Sequence, residues 1–315
     1  MKRGLKIGCL TVVILLALIT YGISSYLISF ALSPDSDKLN EKAHYSELFD
    51  NFPDMKPWVD SLKTQGALKD TFVIMPTGER HHAIYAAYPQ GSRHTAVILH
   101  GWKDNAIKFL NIARFYYQQF GYNVLLPELH AHGQSEGEII GMGWQERKDV
   151  LQWLDIATRM FHSDSLVVHG VSMGAATTMN VSGEKMPASV KDIKFVEDCG
   201  YTSVWDEFDE RIWEDYSLPK FPFLYLASTI CKIRNGWSFG EASPMKQLQK
   251  CHYPMLFIHG DSDLCVPSWM IDVVYKAKPD KKEIWIKKGA DHNQSYSKYP
   301  KEYVAKVREF LDKKW

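Results

Sequence analysis

The sequence has little cysteine and no excess of charge of either sign. Five cysteines among 315 residues are too few for a disulfide framework of the kind that holds small secreted domains together. Lysine and arginine total 37, as do aspartate and glutamate, so the formal net charge is zero. Because nucleic-acid-binding surfaces need a basic excess, this balance predicts no nucleic-acid partner. Apolar residues make up 45% of the chain, which excludes disorder for most of it.

Long apolar runs are also scarce, and the clear example lies at the N-terminus. Residues 7–32 are 26 consecutive residues without a charged side chain, and they follow Lys2, Arg3 and Lys6. About 20 apolar residues are enough to cross a bilayer as a helix. The run therefore predicts a transmembrane signal anchor over residues 1–32. The positive-inside rule then predicts a single-pass protein of the cell membrane whose remaining chain is extracytoplasmic.

A cleaved signal peptide is the alternative to a retained anchor. Ser29-Phe30-Ala31 has the small-x-small pattern of a cleavage site. The apolar core of a signal peptide is typically only about 7–15 residues, so the length of the run favours the anchor. An oxidising compartment would permit the remaining cysteines to pair. These cysteines, whose pairing the sequence leaves open, are Cys199, Cys231, Cys251 and Cys265.

Short β-branched and aromatic segments alternate with helical segments from residue 71 onward. This alternation predicts an α/β protein with a mostly parallel eight-stranded sheet and helices on both faces. The first two segments, 71–75 and 83–88, flank the turn Pro76-Thr77-Gly78 and predict an antiparallel hairpin at one edge. The other predicted strands are 95–99, 122–126, 165–169, 193–196, 255–259 and 283–286.

Two regions interrupt this alternation. Residues 33–70 are polar and helix-leaning, with breaks at Pro53 and Pro57, and predict a juxtamembrane linker with an irregular helical approach before a main domain over residues 71–315. Residues 201–251 are rich in aromatic side chains, and structureless loops of this length are uncommon in compact domains. They predict a small helical cap insertion whose aromatics line an apolar slot. Extra core packing at the sheet edge is the alternative.

A nucleophile motif follows one of the predicted buried strands. Gly170, Ser172 and Gly174 form the pattern G-x-S-x-G between the strand 165–169 and a predicted helix over 173–181. A strand-to-helix turn of this kind is so tight that its flanking residues must be small, and it exposes the serine hydroxyl above the sheet. Ser172 is therefore the predicted nucleophile.

A serine hydroxyl needs a base, and a histidine base needs a carboxylate that orients it. On this architecture the order along the chain is serine, then acid, then histidine. His292 follows the last predicted strand and is the predicted base. Asp263 is the predicted acid, because its loop must extend beyond the strand before turning toward His292. Asp261 is the alternative acid, and otherwise fixes the turn, while Asp291 orders its own loop.

The negative oxygen of a tetrahedral intermediate needs N–H donors. One is predicted to be the backbone N–H of Met173, directly after the nucleophile. The other is predicted to be that of Trp102, in the loop after His100-Gly101.

Other histidines are weaker candidates for function. His81 and His82 lie in the predicted hairpin and are expected to be exposed. Glu128, His130 and His132 cluster after a strand, but their spacing matches no zinc pattern, so no metal is predicted. The chain has no phosphate-binding or dinucleotide-binding fingerprint, so no cofactor is predicted.

These motifs together resemble the α/β-hydrolase superfamily over about residues 70–315. Within it the chain looks like the serine aminopeptidase or prolyl oligopeptidase-like hydrolases of bacteria, which often carry an N-terminal membrane anchor. It departs from the usual Asp-x-Arg at Glu128-Leu129-His130, a change that leaves the predicted catalytic residues untouched. The matching segments are His100-Gly101-Trp102, residues 133–137, Gly170–Gly174, residues 197–201, residues 259–263 with Val266-Pro267, and Asp291-His292.

The resemblance implies hydrolysis of an ester, thioester or amide through an acyl-enzyme. We expect a carboxylesterase-like serine hydrolase acting on a small acyl ester. A serine aminopeptidase-like enzyme acting on short peptides is the alternative. A tethered binding protein is disfavoured because no predicted catalytic residue is missing. Physiological substrate and oligomeric state stay open. The acids that could bind a peptide amino group, or could simply form a solvated helix face, are Glu207, Asp209, Glu210, Glu214 and Asp215.

Overall fold

The computed structural model describes residues 2–315, with side chains from Lys6 onward. The side chains of Lys2 and Arg3, which contribute to the predicted membrane orientation, therefore lie outside the described residues. The chain divides into two compact units. The smaller unit combines the N-terminal segment through Ser33 with Ser203–Ala242, and the larger combines Pro34–Thr202 with Ser243–Trp315.

The larger unit is built on the eight-stranded sheet that the alternating pattern predicts. Its strand order is β1-β2-β4-β3-β5-β6-β7-β8. The pairs β1–β2 and β2–β4 are antiparallel and all other pairs are parallel, which confirms the predicted fold class and edge hairpin. The strands are β1 (Lys69–Ile74), β2 (Arg80–Ala86), β3 (His94–Leu99), β4 (Asn123–Pro127), β5 (Ser165–Val171), β6 (Asp192–Asp198), β7 (Met255–Gly260) and β8 (Lys282–Lys287).

The central strands are buried on both faces because their sequences are continuous apolar runs. Every residue of β4 and β7 is buried, and β3 is buried after its first residue. The helices are α1 (Lys2–Leu32), α2 (Glu41–Asn51), α3 (Met55–Thr64), α4 (Leu110–Phe120), α5 (Glu146–Phe161), α6 (Met173–Ser182), α7 (Val204–Tyr216), α8 (Lys220–Asn235), α9 (Pro244–Leu248), α10 (Trp269–Ala277), α11 (Ser295–Lys298) and α12 (Pro300–Asp312).

Residues 33–70, the segment predicted as a linker with an irregular helical approach, contribute two helices that belong to the larger unit. Trp58, Val59 and Leu62 of α3 lie on one helical face and join the main hydrophobic core, as does Leu48 of α2. The prolines that suggested breaks mark only the boundary between the helices and the first turn of α3.

The smaller unit pairs the N-terminal helix with the aromatic-rich insertion. The insertion forms α7 and α8 as predicted, but its third helix, α9, belongs to the larger unit. Ser24 of α1 donates a hydrogen bond to the carbonyl of Phe223 at 3.0 Å, and the last turns of α1 bury Ile28 and Leu32. The stretch Lys6–Leu32 is long and apolar enough to cross a membrane, a test that signal sequences also pass.

Candidate active site

Ser172 occupies a strained turn between β5 and α6. Its φ of 57° and ψ of −120° are unusual for a residue with a side chain, and its N–H donates to the carbonyl of Asp198 at 2.8 Å. A Cβ on Gly170 would overlap the carbonyl oxygen of Gly174, and one on Gly174 would overlap that of Leu99. The two glycines of the motif are therefore steric requirements of the turn.

The structure brings Ser172, His292 and Asp263 together, although 29 to 120 positions separate them along the chain. Ser172 Oγ lies 2.9 Å from His292 Nε2, and His292 Nδ1 lies 2.8 Å from Asp263 Oδ2. With the carboxylate accepting, Nδ1 carries the proton and Nε2 is left to accept from the serine hydroxyl. This arrangement lets the imidazole remove the serine proton.

Asp263 is buried and fully occupied by donors. Its Oδ1 accepts the backbone N–H groups of Cys265 and Val266 at 2.9 and 2.8 Å. Burial raises the pKa of Asp263, but hydrogen bonds from His259 and His292 outweigh that effect and leave the pKa well below its ordinary value. The carboxylate is therefore ionised where it faces His292.

The two neighbouring aspartates hold the loops on which Asp263 and His292 lie. Asp261 Oδ1 accepts the N–H of Gly289 at 2.6 Å, and Asp291 Oδ1 accepts the N–H of His292 at 2.7 Å. Neither contact is to the imidazole of His292. Asp261 thus occupies the turn-fixing position that the sequence offered as the alternative to an acid.

The loop after β3 lies close to Ser172. A Cβ on Gly101 would lie 3.5 Å from Cβ of Ser172, so the backbone of the Gly101–Trp102 segment lies beside the serine. Met173 is the first residue of α6, where backbone N–H groups have no acceptor within the helix. The predicted donors therefore lie on the two segments that flank Ser172.

Two buried histidines brace this loop. His100 Nδ1 donates to the carbonyl of Gly101 at 2.8 Å, while its Nε2 accepts the N–H of Leu129 at 3.0 Å. His132 Nε2 accepts the N–H of Lys103 at 3.1 Å. Burial lowers the pKa of both imidazoles, so they act as neutral links that tie the loop after β3 to the loop after β4.

Solved structures of other proteins share this fold. No protein-family model matches the chain. It is 29% identical over 229 residues to the uncharacterised protein YqkD of Bacillus subtilis, covering 72% of this chain and 74% of that protein. Among solved structures it resembles the esterase Pf2001 of Pyrococcus furiosus (22% identity, TM-score 0.61, 78% and 91% of the two chains). It also resembles the bromoperoxidase of Bacillus anthracis (18% identity, TM-score 0.56, 78% and 100%).

This chain has the α/β-hydrolase fold. The finer resemblance to serine aminopeptidase-like hydrolases stays a prediction.

Within this α/β-hydrolase fold, a buried polar chain that the sequence did not reveal supports the C-terminal end of β6. Tyr116 donates to His169 Nδ1 at 3.0 Å, His169 Nε2 donates to Tyr303 at 2.9 Å, and Tyr303 donates to Asp198 Oδ2 at 2.9 Å. Burial lowers the pKa of His169 to about 3 and raises that of Asp198 to about 6. The backbone carbonyl of Asp198 in turn accepts the N–H of Ser172, so this polar chain helps to hold Ser172 in place.

His259 also has no role predicted from the sequence, although it lies in residues 259–263, one of the segments that carry the family resemblance. Its Nε2 lies 2.9 Å from the carbonyl of Val266 and 3.4 Å from Asp263 Oδ2. It therefore helps to hold the loop that presents Asp263. The only signal in the sequence was its position directly before Gly260 and the acids that follow.

The prediction that His81 and His82 are exposed is wrong. Both are buried, because β2 lies between β1 and β4 and is not an edge strand. His82 donates to Glu128 at 2.8 Å and to Asp70 at 3.0 Å. Burial alone would lower the pKa of His82, but the hydrogen bonds and negative charges of Glu128 and Asp70 together outweigh it, so the pKa is raised.

Two groups of side chains among the described residues have the proximity that a metal site needs. The first, Cys199 with Asp263 and His292, overlaps the hydrogen-bonded chain of Ser172, and burial raises the pKa of its thiol well above the ordinary value. The second joins Glu79 and His81 with His130, which also belongs to the predicted cluster after β4. All five cysteines are free thiols.

Proposed function

We propose that this protein is a serine hydrolase that cleaves carboxylic esters, with Ser172 as nucleophile, His292 as base and Asp263 as the carboxylate that orients it. The observation that carries the proposal is the continuous hydrogen-bonded chain of these three groups at a strained strand-to-helix turn. An isolated serine has no such acceptor for its proton. The resemblance of the fold to that of an esterase supports the same reaction class.

The reaction begins when Ser172 Oγ attacks the ester carbonyl and its proton passes to His292 Nε2. The carbonyl electron pair moves to oxygen, where the N–H groups of Met173 and Trp102 stabilise the negative charge. Collapse of this intermediate breaks the bond to the alcohol, which takes the proton from His292. Water then repeats the sequence on the acyl-enzyme and releases the acid. Asp263 stays ionised throughout and stabilises the imidazolium.

The test uses the full chain in detergent and two readouts, turnover of p-nitrophenyl acyl esters and covalent labelling by a fluorophosphonate. Ser172→Ala is expected to lose both. Ser297→Ala, at an exposed serine, is the matched control and is expected to keep both. Turnover by Ser172→Ala at the wild-type rate, or labelling at another residue, would overturn the proposal.

Peptide hydrolysis is the alternative substrate class. Two of the acids that could bind a peptide amino group are already paired, Asp209 with Lys220 at 2.6 Å and Asp215 with Arg211 at 3.4 Å. These pairs favour the ester. A panel of acyl esters and aminoacyl naphthylamides decides between the two classes, because a peptidase would turn over the amides with comparable efficiency.

We also propose that α1 is a retained anchor that places the remaining chain outside the cytoplasm. Ser24 and Ile28 are buried and Ser24 donates a hydrogen bond to Phe223 of α8, so cleavage after Ala31 would remove a packed partner of α8. Burying apolar side chains stabilises a fold by about 25 cal/mol per Å² of apolar surface. A cleaved signal peptide has no such role in the mature protein.

Two measurements test the anchor. The intact mass of the protein from the membrane fraction should include residues 1–31, and reporter fusions at the C-terminus should be active only outside the cytoplasm. A mature N-terminus near Leu32 would contradict retention. A reporter active in the cytoplasm would contradict the orientation.

A further inference from the structure

The turn before β2 and the loop after β4 bring together a set of metal-ligating atoms outside the candidate active site. Glu79 precedes β2, His81 lies within it, and His130 lies in the loop after β4. One carboxylate oxygen and two ring nitrogens from these residues all lie within 4.8 Å of one another. Two imidazoles with one carboxylate form a donor set that proteins use for Zn²⁺ with an open coordination position.

His81 supplies a second and independent observation. Its side chain is fully buried, and neither of its ring nitrogens has a hydrogen-bond partner among the described residues. Buried polar groups in folded proteins are nearly always satisfied, so an imidazole left in this state requires an explanation. Its Nε2 faces Glu79 Oε2 at 4.0 Å, so the unsatisfied nitrogen points into the cluster.

We propose that Glu79, His81 and His130 bind a divalent transition-metal ion, and that Zn²⁺ is the cation this donor set fits best. His130 Nδ1 lies 3.2 Å from Glu79 Oε2. Bonds of about 2.0–2.1 Å in a tetrahedral site put neighbouring ligand atoms about 3.3 Å apart. Side-chain movements on the order of 1 Å therefore bring all three atoms into this geometry.

The carboxylate of Asp149 lies beside His81, on the side of the imidazole away from Glu79. Its Oδ2 lies 3.9 Å from His81 Nδ1, the nitrogen on the other side of the ring from Glu79. Metal-bound histidines generally donate their second N–H to a carboxylate or carbonyl, which fixes the tautomer and the ring orientation. Asp149 can accept that proton, which leaves Nε2 of His81 for the metal.

The cluster of Glu79, His81 and His130 is accessible from solvent. Glu79 and His130 line an open groove, together with Lys38, Glu136 and the segment 137–139, so an ion can enter from solvent. The amine of Lys38 is held by the carbonyl of Ser135 at 3.0 Å.

The position of this site gives it a structural consequence. His130 shares its loop with His132, whose Nε2 accepts the N–H of Lys103 next to Trp102. A bound ion would fasten the loop after β4 to β2 and thereby stiffen the support of the loop beside Ser172. The inference does not depend on the proposed hydrolase activity, because it is tested by binding and thermal stability.

The experiment uses the full chain in detergent with an affinity tag that contains no histidine, stripped with a chelator and titrated with Zn²⁺ against a chromophoric competitor. Wild type is expected to bind one equivalent and to unfold at a higher temperature with Zn²⁺. Glu79→Gln and His130→Gln are expected to bind at least about tenfold more weakly and to lose the thermal shift. Glu79 is partly exposed, so its variant tests binding even where a change at buried His81 prevents folding.

Two controls locate the ion. His252→Gln changes an exposed histidine and should bind Zn²⁺ as wild type does. His292→Ala disrupts the other candidate group and should also keep the bound equivalent. The proposal is overturned if wild type binds less than half an equivalent, if Glu79→Gln and His130→Gln bind like wild type, or if the equivalent disappears in His292→Ala.

Discussion

At the scale of single residues, the contacts of Asp263 and Asp261 distinguish two roles between which the sequence left a choice: orienting His292 and fixing the turn. Both follow β7, and both were candidates to orient His292. Their contacts differ: Asp263 is 2.8 Å from the imidazole, whereas Asp261 bonds the backbone of Gly289. The distinction depends on where the loops of Asp263 and His292 meet in space. The spacing of residues after one strand does not specify that position.

Asp263→Asn should therefore cripple turnover, because an amide in place of the carboxylate stabilises the wrong tautomer of His292. The expected loss in kcat on p-nitrophenyl esters is about 10⁴-fold, the size of the effect in the serine protease that serves as the general template. Asp261→Asn is the matched control and should change kcat far less. Similar losses in both variants would contradict the assignment of Asp263.

Glu146 leads to a pH-dependent prediction. It is fully buried at the start of α5, and burial raises its pKa from 4.5 to about 7. Between these values the unfolded state releases a proton that the folded state keeps, so stability falls as pH rises, by up to about 1.4 kcal/mol per pH unit. Below pH 4.5 both states are protonated, and this contribution to stability is fully present.

Glu146→Gln removes that contribution while keeping an oxygen that accepts the N–H of Gly141. The variant should gain thermal stability relative to wild type as the pH is raised from 5 to 8. Glu138→Gln, at an exposed position, is the control and should leave the pH dependence unchanged. A constant stability difference between Glu146→Gln and wild type across this range would contradict the prediction.

At the scale of elements, all eight strands were predictable because each is a short apolar or β-branched run between turn residues. The boundaries of the helices were less predictable. The apolar spacing over residues 105–120 predicts a helix from Asn105, whereas α4 begins at Leu110, because the Asn105 side chain accepts the N–H groups of Ile107 and Lys108 and forms a local turn. The burial of His81 and His82 was also beyond the sequence, since it depends on β4 pairing with the far side of β2.

The turn at Ser172 predicts the effect of a single added methyl group. Gly174→Ala would place a Cβ against the carbonyl oxygens of Leu99 and His100, which cannot move without disrupting β3. We expect loss of fluorophosphonate labelling and a marked fall in unfolding temperature, as for other overpacked core positions. Gly240→Ala is the control, since its Cβ would meet no described atom within 4 Å. Normal labelling of Gly174→Ala would show that the turn is less constrained than its geometry implies.

At the scale of the whole molecule, the chain joins distant segments in ways that a domain division by sequence order does not capture. The predicted division into anchor, linker and main domain follows the order of the chain. The structure instead groups α1 with an insertion about 200 residues later, and groups the segment predicted as a linker with the sheet. Hydropathy singles out the long apolar run that forms α1, but only the fold shows that its last turns have a partner within the protein.

That grouping predicts two different effects from the same substitution on one helix. Ile28, in the last turns of α1, is 6% exposed, whereas Ile19 on the same helix is 53% exposed. Ile28→Ala should destabilise the smaller unit by about 2 kcal/mol or more, the usual cost of emptying a buried isoleucine site. Ile19→Ala should cost little, because lipid or detergent fills the lost volume.

Limited proteolysis of the full chain in detergent, followed by mass spectrometry of Ser203–Ala242, measures the difference. Equal cleavage rates in the two variants would mean that the insertion folds without α1, and the argument for a retained anchor would then lose its structural basis.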